Sequence, residues 1–223
     1  MTAVATIIDP VLINVARNTE SLSRNCEYGF IQQKCKAGPI SLLRWNGMPT
    51  AALIEALGCD FDGLMERATG TGVPVKAPIE QRKWWLTCAR FQMVAHTSDS
   101  VLEFTPEQSA DRARGRLRLL ARKLMEDIRG GEKIFVYSSA EFATPADASA
   151  LITAFRACGG SGKLIIAGAG GWQDLRPAGD KIWWARLPTL TPMMGATSAD
   201  VTAWLSLLQQ IAAALPETTQ PAA

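Results

Sequence analysis

One cysteine in this chain is placed where a thiol can act as a nucleophile. The stretch Ser21–Arg44 reads SLSRNCEYGFIQQKCKAGPISLLR. Asn25 is a natural N-cap for a helix running to about Cys35, Cys26 is then the first helical residue, and Gly38-Pro39 is the stop. A thiol at that position faces the positive end of the helix dipole and unpaired backbone N–H groups, which favour the thiolate. A thiol nucleophile also needs a base, and the only histidine is His96. Cys26 and His96 are therefore the candidate catalytic pair. Orienting the imidazole would take a third group. Asp99 ranks first for that role, with Glu103 and Glu141 as alternatives. Asn25 and Glu27, flanking the cysteine, are the candidate oxyanion or binding residues, the Asn25 amide acting beside the Cys26 backbone N–H. The competing structural reading makes Cys26 a small buried apolar residue, His96 a strand-end residue bonded to a carbonyl, and Asn25 only a cap.

Other chemistry-bearing stretches are weaker. Gly168-Ala169-Gly170-Gly171-Trp172 follows an apolar strand but has Gln173 where a dinucleotide fingerprint needs glycine, so a tight loop is the favoured reading and no cofactor is expected. Arg112, Arg114, Arg116, Arg118, Arg122 and Lys123 spread around a helix with Glu126 and Asp127 among them. They read as a solvated surface, with an anionic glycan or phosphate partner the minority reading. The pairs Trp84-Trp85 and Trp183-Trp184 put one ring on each face of a strand, mainly for core packing.

Composition narrows the classes. The 223 residues are 48% hydrophobic, enough for one compact unit. A net charge of +2 gives no global field for nucleic acid or a membrane surface. Five cysteines at irregular spacing, with no CxxC pair and one histidine, argue against a disulfide framework and against structural zinc, so no metal is expected. The N-terminal run lacks a basic segment and is broken by Asp9-Pro10, and no apolar run reaches membrane-spanning length. The expectation is a cytoplasmic protein, without membrane insertion or nucleic-acid partner, acting on a small molecule, glycan or peptide.

The elements that must position these residues are legible in part. Residues 1–20 suggest a strand or docking arm at Ile7–Ile8 and Val11–Ile13. Asn46-Gly47 reads as a turn, Pro49–Leu57 as a helix capped by Gly58, Phe61–Arg67 as a further helical turn, and Gly70–Pro78 as a loop. Lys83–His96 reads as two strands joined near Ala89-Arg90. Thr105-Pro106-Glu107-Gln108 is a capping box opening a helix to about Arg129. The strand Lys133–Tyr137, a helix from Thr144-Pro145 to Cys158 and the strand Lys163–Ala167 make a βαβ unit, which implies a parallel sheet. Lys181–Leu187 is a further strand and Ser198–Leu215 a closing helix with Ser198 as N-cap. The fold class is α/β, a single domain over 1–215 with a mixed, largely parallel sheet flanked by helices and a β-hairpin near 83–96. Its N-terminal third (21–70) is helical and its C-terminal part (105–215) is βαβ-type. Residues 216–223 are expected to be a disordered tail.

Several of these stretches, in order, resemble a known group. Asn25-Cys26-Glu27-Tyr28-Gly29-Phe30, the ISLLR segment ending at Arg44, Asp60-Phe61-Asp62-Gly63-Leu64, Ala95-His96-Thr97 and the block LLARKLMEDIRGGEKIFVYSS from Leu119 resemble bacterial proteins of the DUF1796-type group. These are described as papain-like cysteine peptidases and are often found near polysaccharide-related enzymes. The resemblance covers roughly residues 21–167. It implies a nucleophile at Cys26 and a general base at His96. Trp45-Asn46 stands where Phe-Asp-Trp is common in the group, and Thr97 where an Asp is common. Two functions follow as expectations: a Cys-His hydrolase or acyl-transfer enzyme, or a non-catalytic sugar or nucleotide-sugar recognition module in polysaccharide or cell-envelope biosynthesis.

Overall fold

A computed structural model describes residues 8–70, 78–190 and 199–219. The chain opens with a helix, α1 (Pro10–Asn18), because Asp9 accepts from the Val11 N–H at 2.8 Å and Pro10 occupies the first helical position. This replaces the strand expected at Val11–Ile13; Ile7 lies outside the described residues. A three-residue strand, β1 (Thr19–Ser21), follows directly. Next come α2 (Glu27–Lys34), β2 (Asn46–Gly47), α3 (Thr50–Gly58), β3 (Ala68–Gly70), β4 (Lys83–Cys88) and β5 (Val94–Ser100). The long α4 (Pro106–Gly130) has the expected capping box between Thr105 and Gln108 and ends on Gly131 in the left-handed conformation. The chain finishes with β6 (Ile134–Ser139), α5 (Ser149–Ala157), β7 (Lys163–Ala169), β8 (Gln173–Gly179), β9 (Ile182–Leu187) and α6 (Val201–Ala214).

The strands form two sheets. The larger has the order β1-β6-β7-β9-β8, parallel through its first four strands and closed by an antiparallel edge. Strand β6 is buried along its whole length because alternate residues enter different cores. Phe135 and Tyr137 face a core shared with α3, α4 and α5, while Ile134 and Val136 face α1, α2 and α6. The 83–96 hairpin is not an edge of this sheet. It extends to Ser100 and belongs to a separate antiparallel sheet, β2-β5-β4-β3, whose Leu86 and Ala95 join the first core. On α4, Leu117, Ala121, Leu124, Met125 and Ile128 repeat at helical spacing and bury one face, each large side chain contributing roughly 1.5–3 kcal/mol.

Other boundaries depart from the sequence expectations. Phe61–Arg67 forms turns, with Asp60, Phe61 and Met65 at positive φ, where a helical turn was expected. Gly170 (φ +107°) and Gly171 (φ +102°) make the tight loop after β7, which leads into the unexpected strand β8. Asp200 caps α6, accepting from Ala203 N at 3.0 Å; Ser198 lies outside the described residues, as does most of the 70–78 loop. Residues 216–219 are not a loose tail. They form a 3-10 turn with Thr218 buried, held by Asn14 and Asn18 of α1, which donate to the carbonyls of Thr219 and Thr218 at 2.9 Å each. Among the described residues, no helix is long and apolar enough to cross a membrane.

Candidate active site

Strand β1 determines where Cys26 sits. Its pairing with β6 continues past Ser21, with Leu22 N donating to Val136 O at 2.8 Å and the Ser138 hydroxyl donating to Ser23 Oγ at 3.0 Å. The chain then turns into α2, so Cys26 stands beyond the carboxyl end of a parallel strand and at a helix N-terminus, where open α/β sheets gather ligands. The helix begins one residue later than expected: Cys26 is the N-cap and Glu27 the first helical residue. Asn25 still supplies the capping bond, its Oδ1 accepting from Glu27 N at 3.0 Å.

His96 reaches Cys26 through the smaller sheet. Met48 N donates to Arg24 O at 3.0 Å, tying the segment after β2 to the loop before Cys26. Strand β2 pairs with β5, Asn46 opposite Ala95, which brings the neighbouring His96 to the same place. The approach is close because of Gly29: a Cβ there would stand 2.0 Å from Arg44 O. The glycine that weakens the helix in sequence terms is what lets the 44–47 segment lie against it.

The outcome is a Cys26 Sγ to His96 Nδ1 distance of 3.7 Å, within sulfur hydrogen-bond reach. With the thiol as donor, the imidazole carries its own proton on Nε2. The Trp85 ring, opposite His96 in the β4–β5 ladder, lies 4.5 Å away at a 34° tilt and fixes the imidazole plane. Cys26 is only 4% exposed, and burial pushes its thiol up to about 12. Burial also lowers the His96 pKa below its ordinary value. Both shifts favour the uncharged forms, so the resting pair is thiol and imidazole rather than thiolate and imidazolium. The Glu27 carboxyl, buried at the first position of α2, already occupies the positive end of that helix.

The other candidates are placed elsewhere. Asp99 does not orient the imidazole: its Oδ2 accepts from Ser109 Oγ at 2.9 Å and its Oδ1 lies 3.4 Å from Arg112 Nε, anchoring α4 to the end of β5. Glu141 pairs with Arg24, and Glu103 is exposed. Glu27 Oε1 accepts from Trp204 Nε1 at 2.8 Å, joining α2 to α6 in the core. Among the described residues, no three His, Cys, Asp or Glu side chains group to hold a metal ion.

His96 lines a cleft of about 410 Å³ whose walls include Ser41, Arg44, Trp45, Asn46 and Arg116. Cys26 does not line it; the thiol adjoins the cleft through His96. Arg44, Trp45 and Arg116 were not singled out for this site by sequence, although ISLLRWN and the basic helix carry them. No family model, no curated protein and no solved structure matches the chain.

Proposed function

We propose that this protein is a Cys-His hydrolase or acyl-transfer enzyme with Cys26 as nucleophile and His96 as general base. The observation that carries the reading is the 3.7 Å approach of Sγ to Nδ1 at the head of α2. The resemblance to the DUF1796-type group points the same way. The parallel sheet is not a papain architecture, so the reading rests on the geometry of the Cys26–His96 pair and not on the fold. Because burial keeps both groups neutral, proton transfer accompanies attack. The Sγ proton passes to Nδ1 as sulfur bonds to the acyl carbon. The carbonyl oxygen becomes an oxyanion near the first-turn N–H groups of α2. His96 returns the proton to the departing amine or alkoxide as its bond to the acyl carbon breaks. Water or another acceptor, deprotonated by His96, then bonds to the acyl carbon, and His96 passes that proton to Sγ as the carbon–sulfur bond breaks. Incubation with p-nitrophenyl acetate should give a nitrophenol burst of one equivalent per chain, lost in Cys26→Ala and His96→Ala. A burst that survives Cys26→Ala would overturn the assignment.

One observation favours a second reading, a sugar or nucleotide-sugar recognition module in polysaccharide or cell-envelope biosynthesis: the cleft is lined without Cys26. Saturable binding of such a ligand that is unchanged by Cys26→Ala, with no burst in the parent protein, would select it. In either reading the five unpaired cysteines fit a reducing bacterial cytoplasm.

A further inference from the structure

The cations of α4 are not equivalent. Arg112, Arg114, Arg118, Arg122, Lys123 and Arg129 each have a carboxylate within 4 Å, from Asp99, Asp111, Glu66, Glu126, Asp127 and Asp60 respectively. Among the described residues, Arg116 has none, and it is the α4 cation that lines the cleft with His96. Across the cleft, Arg44 likewise has no carboxylate partner among the described residues. Its two terminal nitrogens donate to Pro39 O at 3.4 Å and Ala37 O at 2.8 Å, it stacks 4.8 Å over Trp45, and its Nε is buried with no hydrogen-bond partner. The described lining contains no Asp or Glu. The recess of about 450 Å³ between the 60–66 turns and α4 is different, since its arginines face Asp60, Asp62 and Glu66. A cleft with two guanidiniums that have no carboxylate partner, and with no acidic residue in its described lining, carries a charge that an anion would satisfy.

We propose that the cleft beside His96 is an anion subsite, in which Arg116 and Arg44 hold a carboxylate or phosphate group of the substrate while its acyl carbon meets Cys26. This rests on the Cys-His reading for the reaction, but its test does not require turnover. The protein is titrated with inorganic phosphate and, separately, with acetate, following the His96 ring and arginine Nε–H resonances by NMR. Saturable shifts at His96 and Arg116 are expected with at least one of the two, and the tighter binder identifies the anion class. Arg116→Glu should weaken that binding by about tenfold or more, while Arg122→Glu, the same charge change at an α4 arginine that lines the other recess, should leave it within about twofold. No saturable shift, or equal weakening by the two variants, overturns the proposal. Anion binding that depends on Arg116, together with no nitrophenol burst, would sink the catalytic reading and leave the subsite standing. A burst without anion binding would do the reverse.

Discussion

Glu20 stores proton-linked energy inside the fold. It lies on β1, 2% exposed, and its carboxyl is pushed up to about 7 from an ordinary 4.5. Burial is the main cause; Lys123, 3.8 Å away, opposes it, and the Asp127 carboxylate reinforces it. The shared proton resides on Glu20, and Asp127, bonded to Lys123, is held below its usual range. Between about pH 4.5 and 7 the folded chain therefore binds more protons than the unfolded one, so this group's contribution to stability is full at the acid end and is lost as pH rises through 7. At about 1.4 kcal/mol per pH unit, the raised value corresponds to about 3 kcal/mol, or roughly 6–12 °C in Tm for a chain of this size. Glu20→Gln removes the titration and keeps the shape. Urea unfolding at pH 5, 6, 7 and 8 should show the variant near parity at pH 5 and more stable by about 3 kcal/mol at pH 8. The difference between variant and parent is the proper readout, because His96, with its lowered pKa, adds a contribution of opposite slope near pH 6. A difference that is the same at pH 5 and pH 8 would contradict a Glu20 carboxyl raised to about 7 in the folded chain.

Three other substitutions probe the scaffold. Helix propensity alone would make Gly29→Ala stabilising by about 1 kcal/mol, but the added Cβ meets Arg44 O, so urea unfolding should show a loss of about 1–3 kcal/mol or more and His96 should uncouple from Cys26. Asp99→Asn should cost about 1–3 kcal/mol by weakening the Ser109 and Arg112 contacts, yet leave the pH profile of Cys26 alkylation in place; a shifted profile would make Asp99 the orienting group after all. Trp204→Phe leaves Glu27 Oε1 without its indole donor and should lower stability by about 1–3 kcal/mol, measured by thermal unfolding, with the nitrophenol burst retained.

What could be read from the sequence was what is specified locally. The α4 capping box, the β6–α5–β7 unit and the 83–96 hairpin each carry their own turn chemistry and periodicity, and each formed close to its expected boundaries. The elements that escaped are defined by their neighbours. Thr-Glu-Ser is a strand only because β6 pairs with it, and that strand places Cys26 at the edge of the sheet. Gln173–Gly179, with a proline and two glycine-flanked ends, is an exposed edge strand that no hydrophobic pattern announces. Asp9-Pro10, which breaks an apolar run, is also a helix start. The Cys26 and His96 side chains were identifiable by type, but their neutral state was not. The helix N-terminus argues for a thiolate, whereas burial reverses that balance. Nor does the sequence distinguish Arg116 from Arg118 on α4, since the carboxylate that pairs with Arg118 is Glu66, in turns distant along the chain.

The most direct test of a coupled Cys26–His96 pair is the pH profile of iodoacetamide alkylation at Cys26, resolved by peptide mass spectrometry in the parent and in His96→Ala. A thiol that gives its proton to imidazole during attack should react at a rate that rises with an inflection below about 6.5, where His96 loses its proton, and then hold a plateau through neutral pH. Without His96 the plateau should vanish, leaving only a rise toward high pH as the buried thiol ionises near 12. Identical profiles in the two proteins would contradict the pairing of Cys26 with His96.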